Sequence, residues 1–231
     1  MHRPRNEFPA AIESLLSGES DMVFMLRPSD EQIQQADRAG KELEITPIGR
    51  EAFVFFVSKS NPIQNLSSEQ IRDVYSKKIV NWSELGGPDR KILPFQRPEG
   101  SGSQTAMIRF MAGTPPCEPM REEVQVTMMA ILNRVADYRN YGNSIGYSFR
   151  YYVEGMTTHD GVRVIGVDGI VPTIETIADG NYPVKAELVA VTAGGTNPNV
   201  RKLIDWFLSP QGQDLVRRVG YVPLDADVKD E

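Results

Sequence analysis

Cysteine and histidine are scarce in this 231-residue chain. Cys117 is the only cysteine, which excludes an intramolecular disulfide and leaves the redox compartment open. The two histidines, His2 and His159, are far apart in polar segments, a pattern that does not predict a zinc site. Neither histidine lies in a catalytic motif, so an esterase or phosphatase is the least favoured class of function. We expect no metal, no cofactor and no catalytic residue.

Long apolar runs and basic runs are also missing. No apolar stretch approaches the roughly 20 residues that a transmembrane helix needs. The formal net charge is −6, and the sequence gives no sign of a nucleic-acid partner. A content of 40 % hydrophobic and 24 % charged residues is that of an ordinary globular protein with one large or two small domains.

The sequence does contain alternating strand and helix signals. Phe53–Val57 is a run of five apolar residues, typical of a strand that is buried on both faces. Ser67 and Gln70 have the spacing of a capping box and predict a helix start. Further strands are predicted at 22–26, 162–167 and 188–191, and further helices near 10–18, 28–40, 124–135 and 200–208. Strands that alternate with helices predict a parallel α/β fold.

Residues 97–104 read Arg-Pro-Glu-Gly-Ser-Gly-Ser-Gln and form the most informative stretch. Ser101 and Gln104 again have capping-box spacing, so this loop is predicted to open a helix. The N-terminus of a helix offers free backbone N–H groups and a positive dipole end, which favour anions. Arg97 adds a planar donor fork suited to phosphate or carboxylate. A flexible Gly/Ser turn explains the octet about equally well, so both interpretations stay open on these residues alone.

Short motifs extend in a fixed order over nearly the whole chain, from about residue 8 to residue 224. They are Asn61-Pro62, 66–71, 78–82, Gly86-Gly87, 97–103, 144–147, 167–170, 181–183, 206–212 and 220–224. This ordered set resembles the phosphate ABC transporter substrate-binding proteins.

The resemblance implies an α/β, two-lobed periplasmic-binding-protein-like fold of type II. Each lobe would be a mostly parallel sheet flanked by helices, with two hinge strands between the lobes. Lobe 1 would combine residues 1–57 with 184–231, and residues 58–183 would form lobe 2, which carries the anion-binding loop. The protein would bind inorganic phosphate or a similar oxyanion in the interlobe cleft and deliver it to the permease subunits of an ABC importer. An extracytoplasmic location, periplasmic or at the cell surface, is implied by the resemblance alone. No signal peptide is visible in the sequence.

Within that family resemblance, four residues of the loop are the main candidate ligands. Arg97 would orient the anion through its guanidinium, and the hydroxyls of Ser101 and Ser103 would donate hydrogen bonds. Gly102 would let the backbone approach closely and donate its N–H. The alternative function is a non-transport ligand-binding or sensory module of the same fold with weak or no phosphate binding. An attached transmembrane or signalling segment would favour that alternative.

The chain departs from the family near its start. Met1 falls close to the family's second strand, and Phe8-Pro9 stand where relatives have Ser or Thr. We therefore expect the first strand and its Ser/Thr loop to be absent. The expected consequences are weak phosphate binding and either marginal folding or association through the open sheet. Arg27 stands where phosphate binders often have an acidic residue, a departure that bears on affinity and phosphate selectivity. Because Arg27 follows a predicted strand and could face the cleft, it is a further candidate ligand, and a solvated surface charge is the equal alternative. Ser144 is another candidate ligand.

Three other features receive plain interpretations. Trp82 and Trp206 are predicted to be core or packing residues rather than ligand platforms. The pair Asp168-Gly169 is predicted to be a turn rather than a metal loop. A group of tyrosines suits a sugar site and a polar-tipped surface equally; its members are Tyr138, Tyr141, Tyr147, Tyr151 and Tyr152.

Overall fold

The computed structural model describes residues 10–119, 123–137, 142–155, 160–195 and 197–224. His2, Phe8-Pro9, Tyr138, Tyr141 and His159 lie outside these residues, so the predictions about them stay predictions. The same holds for the charged C-terminal tail, 225–231, which the sequence predicts to be disordered. Within the described residues, no helix is both long enough and apolar enough to cross a membrane.

Helices and strands alternate along the chain. The helices are α1 (Ala10–Ser17), α2 (Asp30–Arg38), α3 (Ser68–Tyr75), α4 (Gly102–Phe110), α5 (Met128–Ala136), α6 (Arg150–Glu154), α7 (Ile174–Ala178), α8 (Pro198–Phe207) and α9 (Pro210–Arg218). A 3-10 helix covers Trp82–Leu85. The strands are β1 (Val23–Leu26), β2 (Glu44–Ser58), β3 (Asn65–Leu66), β4 (Leu93–Pro94), β5 (Ser144–Phe149), β6 (Val162–Val167) and β7 (Lys185–Thr192). The predicted α/β fold class is confirmed.

The chain divides into two compact units. Unit 1 contains Met1–Glu51 and Ala186–Glu231, and unit 2 contains Ala52–Lys185. Strand β2 begins in unit 1 and ends in unit 2, whereas β7 begins with the last residue of unit 2. The lobe boundaries at 57/58 and 183/184 stay a prediction.

Unit 1 packs helices on both faces of a small sheet. Strand β1 pairs antiparallel with β7, from Val23 opposite Val191 to Leu26 opposite Leu188. Side chains alternate between the faces of a strand, so neighbouring residues of β7 enter different cores. One core joins Val189 and Val191 to Ile12 and Leu15 of α1. The other core joins Ala190 to Ile48 and to Ile204 of α8.

Unit 2 is built around the second half of β2. Strand β2 pairs antiparallel with both β5 and β6, while β4 is parallel to β5 and β3 is parallel to β6. Its core contains a cluster of aromatic rings: Phe53 lies 5.4 Å from Tyr147, and Phe55 lies 4.8 Å from Phe110. This core supports the end of β4 and the start of α4, where the predicted anion loop lies.

The expectation of mostly parallel sheets is wrong in detail, because β1–β7, β2–β5 and β2–β6 are antiparallel. A buried apolar run such as Phe53–Val57 shows that a strand is covered on both faces, which is usual for parallel strands but does not fix the direction of its neighbours.

One further prediction, for Val124, is also wrong. Its spacing predicts a helix, but Val124 forms a bridge with Gln96, and α5 begins only at Met128. Trp82 is fully buried as predicted. Trp206 is 38 % exposed and its ring lies 5.2 Å from that of Phe207, so of the two predicted roles it is a packing residue and not a core residue. The turn at Asp168-Gly169 is confirmed, since both residues have positive φ.

Candidate anion-binding site

The loop between β4 and α4 turns sharply to begin a helix. Gly100 has a φ of +82°, a left-handed conformation that glycine adopts without a Cβ clash. Ser101 then takes the N-cap position in extended conformation, and α4 begins at Gly102. The predicted helix start is therefore confirmed, and the free N–H groups of the first helical turn lie directly after the glycine.

Arg97 is buried next to this helix start, with 5 % of its surface exposed. Its Nη1 donates to the carbonyl oxygen of Gln125 at 2.6 Å, and its Nε lies 3.4 Å from the Oγ of Ser103. Burial lowers the pKa of the Arg97 guanidinium, while the nearby hydroxyls of Tyr147 and Tyr152 raise that pKa. An arginine stays protonated in proteins, so a buried positive charge lies beside the N-terminus of α4.

A short extended segment holds the carbonyl group that binds Arg97. The N–H of Gln96 donates to the carbonyl of Glu123 at 2.9 Å, and the N–H of Gln125 donates to the carbonyl of Gln96 at 2.8 Å. Residues 123–125 therefore lie alongside β4 like a short parallel strand. No sequence pattern predicts this contact, because the Gln125 group involved is a backbone carbonyl 28 residues away from Arg97 along the chain.

The two serine hydroxyls of the loop each accept one hydrogen bond. The Oγ of Ser101 accepts the N–H of Gln104 at 3.2 Å, and the Oγ of Ser103 accepts from Arg97. Each oxygen is engaged as an acceptor, so its O–H proton remains to be donated elsewhere. Both serines are buried, Gly102 between them is exposed, and the first turn of α4 contains no acidic residue. The result is a set of hydrogen-bond donors beside a cation.

The capping box predicted at this helix is only half formed. Ser101 caps the N–H of Gln104, but the Gln104 side chain does not return to the N-cap backbone as a complete box requires. Its Oε1 instead accepts the hydroxyl of Tyr147 and lies 3.3 Å from the backbone N of Arg97. The box predicted at Ser67 and Gln70 is complete.

Tyr147 is the residue of this region that sequence interpretation missed. It was grouped with tyrosines suited to a ligand site or a polar surface, yet it is fully buried in β5. A usable signal was present, because a tyrosine within the continuously buried strand Ser144–Phe149 needs a partner for its hydroxyl.

Ser144 lies outside the loop, and Arg27 belongs to the other unit. Ser144 is fully buried beside Leu93, at the end of β5 that lies away from the loop. It precedes Tyr147 by three residues, or roughly 10 Å along the strand, so the structure does not bring it to Arg97. Arg27 belongs to unit 1, where its Nη1 forms an exposed ion pair with Glu187 at 3.0 Å. A ligand role for Arg27 stays a prediction.

A search of the described residues finds no group of three or more His, Cys, Asp and Glu side chains that could hold a metal ion. The loop itself offers hydrogen-bond donors: a guanidinium, two hydroxyls and the backbone N–H groups at the start of α4. Such a set is suited to an oxyanion, since each anion oxygen accepts more than one hydrogen bond.

Comparison with known proteins identifies the family of this chain. The family model described as the PBP superfamily domain matches residues 9–211. A Bacillus subtilis protein named phosphate-binding protein PstS is 29 % identical over 178 residues, which are 75 % of this chain and 56 % of that protein, so the match spans little more than half of its length.

Solved structures share the fold. The crystal structure of a Clostridium perfringens protein with bound phosphate matches with a TM-score of 0.73 and 28 % identity, covering 93 % of this chain and 83 % of that one. An ABC-type phosphate transport receptor from Vibrio cholerae matches with a TM-score of 0.72 over 93 % of this chain and 84 % of that one, and at 20 % identity it supports the fold alone. The chain belongs to the PBP superfamily-domain family, and its resemblance to the phosphate ABC transporter substrate-binding proteins is confirmed.

Proposed function

We propose that this chain binds inorganic phosphate, or a similar tetrahedral oxyanion, at the loop between β4 and α4. The observation that carries the proposal is the buried guanidinium of Arg97 beside the N-terminus of α4. A desolvated cation gains most from an anionic partner, and charge-assisted hydrogen bonds are about twice as strong as neutral ones. The hydroxyls of Ser101 and Ser103 would complete the donor set.

The relatives support phosphate as the anion and transport as the context. The Bacillus subtilis relative is named for phosphate binding, and the Clostridium perfringens structure contains phosphate. We infer from these similarities that the protein acts outside the cytoplasm and presents its anion to the permease subunits of an ABC importer. The groups at the loop bind an oxyanion without transferring a proton, so the proposed role is binding without catalysis.

Removal of the Arg97 side chain tests the proposal. Arg97→Ala should remove a charge-assisted contact of about 1.5–3 kcal/mol, which weakens phosphate binding about tenfold or more. Isothermal titration calorimetry with inorganic phosphate measures the change. Arg90→Ala is the matched control, because Arg90 is an exposed arginine of the same unit and its loss changes the net charge equally.

Two results would contradict the proposal. Equal affinity of Arg97→Ala and the unchanged chain would remove Arg97 from the site. A folded chain that takes up no phosphate at millimolar concentration would instead favour the alternative of a ligand-binding or sensory module without phosphate transport.

A further inference from the structure

The hydroxyl of Tyr147 lies directly beneath the loop. The Tyr147 ring is fully buried and packs 5.4 Å from Phe53 and 5.5 Å from Tyr75. Its hydroxyl oxygen accepts the backbone N–H of Arg97 at 2.9 Å, and its proton is donated to the Oε1 of Gln104. One buried hydroxyl thus connects the backbone of Arg97, three residues after β4, to the first turn of α4.

The orientation of this connection is fixed by a chain of amides. The Nε2 of Gln104 donates to the Oε1 of Gln96 at 3.3 Å, and the Nε2 of Gln96 donates to the carbonyl of Cys117 at 2.9 Å. With its amide nitrogen engaged in this way, Gln104 presents its oxygen to Tyr147 and Arg97. Burial also raises the pKa of the Tyr147 hydroxyl, so the proton that it donates stays in place at neutral pH.

We propose that Tyr147 is a positioning residue, which sets Arg97 and the N-terminus of α4 in one fixed relation through Gln104. Strand β4 has only two residues, and Pro98 follows Arg97, so the backbone at Arg97 gains little support from the sheet ladder. A satisfied buried hydrogen-bond network makes up for this, because it specifies one arrangement of the groups that it joins. The anion site would then be preorganised before any anion arrives.

The competing explanation is that Tyr147 only fills the aromatic core. Tyr147→Phe separates the two, since it keeps the ring and removes the hydroxyl. Tyr182→Phe is the matched control, because Tyr182 is another fully buried tyrosine of unit 2 whose hydroxyl donates to a backbone carbonyl, that of Phe53, at 3.0 Å. Both variants lose one buried hydroxyl, but only Tyr147→Phe removes an acceptor of the Arg97 backbone N–H.

The first measurement is made without any anion. The Nε–H resonance of Arg97 in the ¹⁵N-labelled full chain, assigned with Arg97→Lys, reports how firmly the guanidinium is held. Its exchange with water should become several-fold faster in Tyr147→Phe and stay unchanged in Tyr182→Phe. Gln104→Met breaks the same network from the helix side and should have the same effect, which keeps the test decisive if Tyr147→Phe does not fold.

The second measurement rests on the proposed function and uses phosphate. Tyr147→Phe should weaken phosphate binding about threefold to tenfold in the unchanged background, and should cause a smaller loss in the Arg97→Ala background, where no guanidinium remains to be positioned. Unchanged Arg97 exchange in both Tyr147→Phe and Gln104→Met, or an equal change in Tyr182→Phe, would overturn the positioning role. If the unchanged chain fails to bind phosphate while the exchange results hold, the proposed function fails and the positioning role stands.

Discussion

The donors of the Arg97 guanidinium are divided between the protein and the proposed site. Nη1 donates to the Gln125 carbonyl, and Nε donates to the hydroxyl oxygen of Ser103. The other N–H groups of the guanidinium can therefore donate to an anion. This division depends on a rigid fork, which lysine lacks. The three N–H donors of an ammonium share one nitrogen, so they cannot reproduce the spread of a planar fork toward Gln125, Ser103 and an anion.

Arg97→Lys therefore has an expected outcome of its own. The substitution keeps the positive charge but loses the fork, so phosphate affinity should fall between the affinities of the unchanged chain and Arg97→Ala. Calorimetry on the three proteins under one set of salt conditions is the measurement. Affinity of Arg97→Lys equal to that of the unchanged chain would mean that the charge alone matters and that the fork does not.

Helices α3 and α4 begin with the same N-cap hydrogen bond, but their glutamine side chains bind different groups. Ser67 and Ser101 each occupy an N-cap, and each Oγ accepts the N–H of a glutamine three residues later. In α3 the glutamine side chain completes the capping box, whereas in α4 Gln104 is directed to Tyr147 and Arg97. The pair allows the stabilising effect of a cap to be separated from its effect on a ligand.

Substitution of either serine by alanine should lower the free energy of unfolding by about 1 kcal/mol, within a range of about 0.5–2 kcal/mol for N-caps. Only Ser101→Ala should also weaken phosphate binding, because only that hydroxyl belongs to the proposed site. Urea unfolding and phosphate titration of both variants provide the comparison. Weakened binding in Ser67→Ala would show that loss of stability alone lowers the affinity.

The elements that could be predicted from the sequence are those specified by nearby residues. The helix starts at Ser67 and Ser101 and the strand at 162–167 were predicted and are present, because N-caps and short apolar runs are local signals. Of the candidate site, the loop and its serines were predicted for the same reason.

The features that could not be predicted depend on distant parts of the chain. The side chain of Gln104 leaves the capping box for Tyr147, which lies 43 residues further along. The carbonyl that holds Arg97 belongs to Gln125, and any residue type provides a backbone carbonyl, so composition carries no trace of it. Strand direction likewise arises only when strands meet.

Buried tyrosines link the stability of unit 2 to alkaline pH. Burial raises the pKa of the hydroxyls of Tyr75, Tyr147 and Tyr182 above the ordinary value near 10. The unfolded chain loses these protons near pH 10 while the folded chain retains them. Their contribution to stability is therefore fully present below about pH 10 and declines as the pH rises further.

Tyr182→Phe should reduce this decline. Above pH 10, each such tyrosine lowers the free energy of unfolding by about 1.4 kcal/mol for every pH unit. The free energy of unfolding of Tyr182→Phe should therefore fall less steeply with pH, by about that amount per pH unit. Urea unfolding between about pH 9 and pH 11.5 measures the slope. The same slope in both proteins would mean that Tyr182 ionises in the folded state as easily as in the unfolded chain.

The division of the chain also has a consequence for its biosynthesis. Unit 1 needs both Met1–Glu51 and Ala186–Glu231, so β1 leaves the ribosome long before its partner β7. Unit 2 is continuous and can fold as soon as it has emerged. Its two ends are neighbours, since the N–H of Phe53 donates to the carbonyl of Val184 at 3.0 Å. Folding of unit 2 therefore brings the end of the first segment of unit 1 close to the start of the second. Unit 1 then folds without the entropy cost of closing a loop as long as unit 2. A nascent chain that ends before residue 186 would carry the finished loop between β4 and α4, while β1 would still lack β7, the strand with which it pairs.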